Sequence, residues 1–350
     1  MTALLTIIVL IFIAVAIWQM VKIFDLANAG KETSPVATDK DNSWNAYFML
    51  GFLIFIYVIT ILCFVYYGDL PLVSNSASAH GPDIDNLMII SMIIIFFVQT
   101  VTQFLLHYFA FKYKGEEGRK ALYFADNDRL ELIWTIIPVI VLAGLIIYGL
   151  FTWSDIMNID QDDDTIVVEL YAQQFNWKAR YAGEDNVLGE ANVRLINLDN
   201  ANILGLDESD PNAQDDIITT ELHLPVGKKI LFKMRSQDVL HSAYMPHFRA
   251  QMNCVPGMIT QFAFTPSMTT DDMRMNDEVI EKVAYINQIR TEKNIELLVK
   301  GEEVLEMYEF DYLLLCNKIC GSNHFNMQMK IVVDTEEDYN TWLAEQATIC

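Results

Sequence analysis

Four runs of about twenty apolar residues, the length a membrane-spanning helix needs, fill most of the first half of the chain. Ala3 to Val21 has only Thr6 and Gln19 as polar residues, and Ala46 to Tyr67 carries no charge. Leu87 to Ala110 is apolar apart from a few Ser, Thr, Gln and one His, and Leu132 to Phe151 is broken only by Thr135. Four such runs joined by charged loops are hard to bury in a soluble fold, so four transmembrane helices are expected. The rest of the chain is different. Residues 153–350 hold 34 acidic against 15 basic residues, which places 19 of the 23 excess negative charges there. A soluble acidic half therefore follows a membrane half. A chain this acidic would be repelled by nucleic acid, so nucleic acid is excluded as a partner and membrane lipid is expected as one.

The loops give an orientation. Lys22 to Asn45 carries Lys22, Lys31 and Lys40, Gly68 to Asn86 carries no Lys or Arg, and Phe111 to Glu131 carries Lys112, Lys114, Arg119, Lys120 and Arg129. Positive loops stay in the cytoplasm, which puts the N-terminus and the acidic half outside. The first run lacks a basic leader region and reads as a retained span, not a cleaved signal peptide. Gln99, Gln103 and His107 recur every four residues on one face of the third span. They suit packing against the fourth span or docking to a larger membrane subunit. Glu131 stands at the inner mouth of the fourth span, where a carboxylate either snorkels or serves an ion path, and Pro138 is expected to bend that helix.

The acidic half reads as short strands. Thr165–Tyr171, Ile217–Leu224, Lys229–Met234, Thr260–Thr265, Tyr312–Leu315 and Met327–Val333 are β-branched or aromatic runs between turn residues, as in a sandwich or barrel. Residues 182–216 are rich in Asn, Asp and Gly and read as a long loop. Residues 271–309 carry Val279, Val283, Ile286 and Ile289 at helical spacing and read as a helical insertion.

Two of the five cysteines carry the chemistry. Cys63 reads as a small buried residue of the second span, and Cys254 and Cys350 have no ligand-like neighbours. In Cys316-Asn-Lys-Ile-Cys320-Gly-Ser-Asn-His324-Phe-Asn-Met327, two thiols, an imidazole and a thioether fall within twelve residues, and His241 follows an upstream strand. A disulfide would leave His324 and Met327 unexplained. Tetrahedral zinc would use both thiols and both imidazoles but not Met327. A mononuclear blue-copper site would not need the second Cys. A pair of coppers bridged by two thiolates, with one His each and Met as a weak ligand, uses every member, and thiolate and thioether are soft ligands that copper selects.

These residues carry a resemblance. The chain resembles subunit II of the haem-copper cytochrome c oxidases over roughly residues 87–335. Leu130-Glu-Leu-Ile-Trp-Thr-Ile-Ile-Pro138 is similar to the start of that family's second span. Asp238-Val-Leu-His-Ser and Val255-Pro-Gly are similar to its upstream ligand strand, and C-x-x-x-C-G-S-N-H-x-x-M to its binuclear copper (CuA) loop. The resemblance implies N-terminal transmembrane helices followed by an all-β cupredoxin-like sandwich. It implies Cys316 and Cys320 as bridging copper ligands, His241 and His324 as terminal ones, Met327 (with Met329 a nearby alternative) as the weak one, and the backbone carbonyl of Lys318 as a further ligand. The family usually has Glu at the position of Lys318, where its carboxylate also reaches a Mg or Mn ion at the interface with subunit I. A lysine cannot ligate that ion, so the site is not expected in its usual form. Phe175 and Trp177, in Gln174-Phe-Asn-Trp, fall in the aromatic patch that receives electrons, with Phe175 at the usual Trp position. Glu131 falls at the mouth of a proton path.

The implied organisation is two additional N-terminal helices over 1–86, the helical hairpin of oxidase subunit II over 87–153, and an extracytoplasmic copper domain over 154–350 with insertions at 182–216 and 271–309. The implied function is the electron-accepting subunit of cytochrome c oxidase, seated in a bacterial inner membrane with its copper domain on the periplasmic side. It would take electrons from a cytochrome c or haem c donor, soluble or docked, and pass them to haem-copper subunit I for reduction of oxygen to water. The chain has no C-x-x-C-H for a covalent haem, and its six His are too few for the oxygen-reducing site itself. The rival readings are a copper subunit of a nitric oxide reductase and a membrane-anchored copper chaperone. A quinol oxidase subunit II would lack the Cys pair.

Overall fold

The computed structural model describes residues 2–28, 37–68, 76–159, 164–197 and 202–348. Cys350 lies outside the described residues. Four long helices come first: α1 (Thr2–Asn28), α2 (Asp39–Tyr67), α3 (Gly81–Lys112) and α4 (Asp128–Met157). Among the described residues, α2, α3 and α4 are long and apolar enough to cross a membrane, and α1 presents a shorter apolar run, Ile8–Ile23. Thr38 caps α2 through a reciprocal bond with Asp41, satisfying backbone groups that a helix start otherwise leaves open. Pro138 lies inside α4.

The chain divides into two compact units, Met1–Leu70 with Ile93–Leu130, and Pro71–Met92 with Glu131–Cys350. In the first, aromatic pairs join α1 to α2 (Phe12–Phe55) and α2 to α3 (Tyr57–Phe104, Phe64–Phe96). The neighbour of His107 is α2: the ring is buried 6.0 Å from that of Phe52, and its Nδ1 lies 2.7 Å from the Gln103 carbonyl. Cys63, expected to be buried, is exposed on α2, on a side of the helix that no described residue covers.

The second unit contains a sandwich of two five-stranded sheets. Its strands are β1 (Ile166–Gln173), β2 (Asn176–Tyr181), β3 (Ile217–Thr219), β4 (Leu222–Pro225), β5 (Ile230–Ser236), β6 (His241–Met245), β7 (Ala250–Cys254), β8 (Thr260–Phe264), β9 (Tyr312–Cys316) and β10 (Gln328–Asp334). One sheet runs β3-β2-β1-β5-β8 and the other β4-β10-β9-β6-β7. Parallel pairs, β1 with β5 and β10 with β4, lie in otherwise antiparallel sheets. Alternating inward residues such as Leu170, Phe232, Leu222, Leu224, Tyr312 and Leu314 fill the core. The single strand expected over Ile217–Leu224 is two. The chain crosses from one sheet to the other at a turn held by the Thr219 hydroxyl on the Glu221 carbonyl.

Both insertions are ordered where described. The 182–216 loop contains short 3-10 turns and is anchored by Arg180, buried between Asp216 and Glu169. The 271–309 insertion forms α5 (Thr270–Arg274) and α6 (Asp277–Lys300), which Gly301 ends in the left-handed conformation. Asn287 and Asn294, seven residues apart on one helix face, then bond the returning backbone at Tyr308 and Leu305. A last helix, α7 (Glu336–Ala344), follows β10. At the other end, Arg249 grips Asp85 of α3 through two nitrogens, and the Ser78 hydroxyl bonds the Phe248 carbonyl.

Candidate metal centre

The sandwich brings the two sequence motifs together by strand pairing. β6 lies beside β9, with Ala243 opposite Cys316, so the first residue of β6 and the last of β9 are neighbours. The loop from Cys316 to Met327 joins β9 to β10 and closes on itself, the Cys316 N–H donating to the Met327 carbonyl. A second bond, from Asn317 N–H to the Ser242 carbonyl, ties the loop to β6.

The donor atoms form a row. His241 Nδ1 lies 3.7 Å from Cys316 Sγ, which lies 3.8 Å from Cys320 Sγ, which lies 3.6 Å from His324 Nδ1. Met327 Sδ is 3.8 Å from Cys320 Sγ, and the Lys318 carbonyl oxygen is 3.2 Å from Cys316 Sγ. The ligand atoms of His241, Cys316 and Cys320 all lie within 4.8 Å of one another, and His324 stands outside that set. His241, Cys320 and Met327 are buried, while Cys316 and His324 are half-buried. Burial pushes the Cys320 thiol up to about 11, with its hydrogen bond and coulombic interaction with Cys316 adding to the rise. A metal ion is what would hold Cys320 as a thiolate despite that rise.

The donor set discriminates among the metal readings. A single tetrahedral zinc draws its four ligands to about 2.0–2.3 Å, which places all four donors close to one another. Here each imidazole contacts a different thiol, and the two stand at opposite ends of the sulfur pair. Soft sulfur donors with two imidazoles, a thioether and a carbonyl fit copper.

Two groups with no role assigned from the sequence hold the candidate ligands. Asp238 Oδ1 lies 2.8 Å from His241 Nε2, and the same carboxylate accepts from the backbone N–H of Gln174 and Val239. Burial alone would push Asp238 up, but those three bonds outweigh it and hold it below the usual carboxylate value. An ionised carboxylate only accepts, so His241 carries its proton on Nε2 and turns the Nδ1 lone pair toward the sulfurs. The signal was a carboxylate three residues before the histidine. The Gln174 side-chain amide donates to the Cys320 carbonyl. That contact joins residues 146 positions apart, so no local pattern announced it.

Other candidates fall nearby or elsewhere. Trp177 is buried with its ring 6.2 Å from that of His241. Phe175 is half-buried and reaches the loop at Gly321, where an added Cβ would come within 2.8 Å of its ring. The Lys318 side chain is exposed. Glu131 is exposed on α4 and is not among the residues gathered here. Cys254, opposite His241 on β7, is buried, and burial pushes its thiol up to about 12, so it packs as a neutral group.

Residues 69–151 match the cytochrome c oxidase subunit II transmembrane domain, and residues 166–273 its periplasmic domain. The alternative cytochrome c oxidase subunit 2 of Bradyrhizobium diazoefficiens is 33% identical over 267 residues, covering 76% of this chain and 80% of that one. The chain belongs to the cytochrome c oxidase subunit II family. Subunit 2 of Thermostichus vulcanus is 23% identical, covering 83% of this chain and 84% of its own. Among solved structures, the subunit II periplasmic domain of Bradyrhizobium japonicum aligns at 15% identity and a TM-score of 0.30, over 53% of this chain and 94% of its own. A chain of a haem-copper terminal oxidase dimer aligns at 14% and 0.31, over 59% of this chain and 99% of its own.

Proposed function

We propose that this subunit accepts electrons for a cytochrome c oxidase through a binuclear copper centre (CuA). His241, Cys316, the Lys318 carbonyl, Cys320, His324 and Met327 would hold it. The observation that carries the reading is the row imidazole–thiol–thiol–imidazole, which offers one imidazole and two shared thiolates to each of two ions. Copper supplies one-electron redox chemistry there. The protein supplies the rest. Asp238 fixes the His241 tautomer, Gln174 steadies the Cys320 carbonyl, and β6 and β9 set the distance across the site. Phe175, against the Cys loop at Gly321, and Trp177, beside His241, are the proposed residues for incoming electrons.

Partners follow from the same residues. Ile319 and Phe325, 90% and 86% exposed on the ligand loop, give a partner protein an apolar surface beside the ligands. The acidic half suits a basic cytochrome c donor by electrostatic steering. Oxygen would be reduced in a haem-copper subunit I, with Glu131 at the mouth of its proton path. The domain would face the periplasm of a bacterial inner membrane. The exposed Lys318 offers a cation where a Mg or Mn site would need an oxygen donor, so we propose no such site.

Replacing Cys316 by Ser tests the reading. The purified complex should lose the purple and near-infrared absorption of the copper pair and donor-driven oxygen uptake, with the subunit still inserted. An unchanged spectrum would refute the binuclear assignment.

A further inference from the structure

The helices α1 and α2 precede the segment matched by the subunit II family, and the proposed copper centre uses neither. Between them lies a cleft of about 710 Å3, within the roughly 300–1,000 Å3 typical of small-molecule sites. Trp18 and Ile23 of α1 and Trp44 and Phe48 of α2 form its walls. Lys22 and Asp41 line it too, with Lys22 Nζ 3.3 Å from the Asp41 carboxylate and 5.2 Å from the centre of the Trp18 ring. Both charged side chains are nearly half exposed, so their ion pair is worth little and exchanges partners readily.

This arrangement has the chemistry of a lipid headgroup site. Tryptophans with lysine are the side chains that sit at the boundary between acyl chains and water. The charges are more selective than the aromatics. A lone lysine would favour any anionic headgroup, whereas Lys22 beside Asp41 offers one positive and one negative partner a few ångströms apart. A phosphodiester followed by a primary ammonium matches both. A headgroup with a phosphate and only hydroxyls satisfies Lys22 and sets its own negative charge against Asp41. We propose that the α1–α2 cleft binds a zwitterionic phospholipid, its phosphate on Lys22, its ammonium on Asp41 and its acyl chains along Trp18, Trp44 and Phe48.

The test uses the intact oxidase complex, stripped of loose lipid in detergent and offered an equimolar mixture of phosphatidylethanolamine and phosphatidylglycerol with identical acyl chains. Native mass spectrometry counts the lipid retained. The wild type should retain phosphatidylethanolamine at about tenfold over phosphatidylglycerol, one charge contact's worth of selectivity. Asp41→Asn should bring that ratio close to one, and Lys22→Gln should weaken both lipids. Asp41 also closes the cap of α2, so Trp18→Leu on α1 serves as the variant that spares the cap. It should lower total retention while keeping the headgroup preference. The copper spectrum of each preparation should stay unchanged, which separates this site from the copper centre. Equal retention of the two lipids by the wild type would overturn the proposal. So would an ethanolamine preference that survives both Asp41→Asn and Lys22→Gln.

Discussion

Asp238→Asn tests whether the proposed copper ligands are held from outside the metal's own shell. The carboxylate accepts three bonds: His241 Nε2–H and Val239 N–H on one oxygen, Gln174 N–H on the other. The amide keeps a single acceptor oxygen. If that oxygen faces His241, the amide NH2 points at the Gln174 N–H. If it faces Gln174, the NH2 points at Nε2 and favours the tautomer with its proton on Nδ1, the atom proposed to bind copper. Hydrogen bonds to a charged group are worth about 1.5–3 kcal/mol, and second-shell changes of this kind typically cost 10–100-fold in metal affinity. The expected result is a copper affinity lower by about 10–100-fold, or about 1.4–2.8 kcal/mol, in competition with a graded series of chelators. Because no donor protein takes part, lost donor steering cannot imitate the effect. Asp238→Glu, which keeps the charge, should recover part of the affinity. An Asn variant that binds copper as tightly as the wild type, with the same absorption, would refute the tautomer argument.

Three further outcomes are expected. Gly321→Ala adds a Cβ 2.8 Å from the Phe175 ring at a residue with φ +148°, so thermal unfolding should show a loss of about 1–3 kcal/mol together with easier copper loss; an unshifted transition would refute the close contact. His247 is pulled down to about 4 by burial, with Lys282 and Arg249 adding to the shift. It stays neutral in the folded protein while the unfolded chain protonates below about 6.5, so its share of stability is complete above that pH and is lost as pH falls toward 4, by about 3 kcal/mol. His247→Phe keeps an aromatic ring against Phe310 and Tyr312 and should flatten that part of the stability–pH curve; an unchanged slope would count against it. Glu131→Gln should slow oxidase turnover without loss of copper, and full turnover would remove it from the proton path.

The spans were legible because a run of twenty apolar residues has few alternatives, and the 271–309 insertion because its apolar residues keep helical spacing. The strands were legible where β-branched residues cluster, as in the continuous run of β1 and the alternating run of β10. They were missed where the run carries function or small residues. β6 begins at a proposed ligand, His241, and β7 reads Ala-Gln-Met-Asn-Cys, neither a strong strand pattern on its own. The Ile217–Leu224 run reads as one strand because pattern records alternation and not which sheet receives it; the break at Thr219–Glu221 is a tertiary choice. The same limit applies to the metal centre. Cys316, Cys320, His324 and Met327 share twelve residues and were visible together, and His241 stood out by its motif. Of their supports, Asp238 lay three residues before His241, but Gln174 was not visible, because it meets Cys320 only after β1 and β2 have paired in the opposite sheet.

Those supports bear on what an electron relay requires. A centre that gains and loses an electron works fastest when its ligands move little between the two states. Much of the proposed site is fixed by something other than the metal: His241 by Asp238, the Cys320 backbone by Gln174, the Cys316 N–H by the Met327 carbonyl, and the loop by the bond from Asn317 to β6. His241 and Cys316 are further locked by neighbouring strands in one sheet. The two thiol sulfurs are already 3.8 Å apart under these constraints. A loop that needed the metal to gather its ligands would loosen as the charge on the metal fell. A site organised from the strands outward would keep its shape in both oxidation states, which is the physical reason to build a relay on a rigid sandwich and not on a flexible cysteine loop alone.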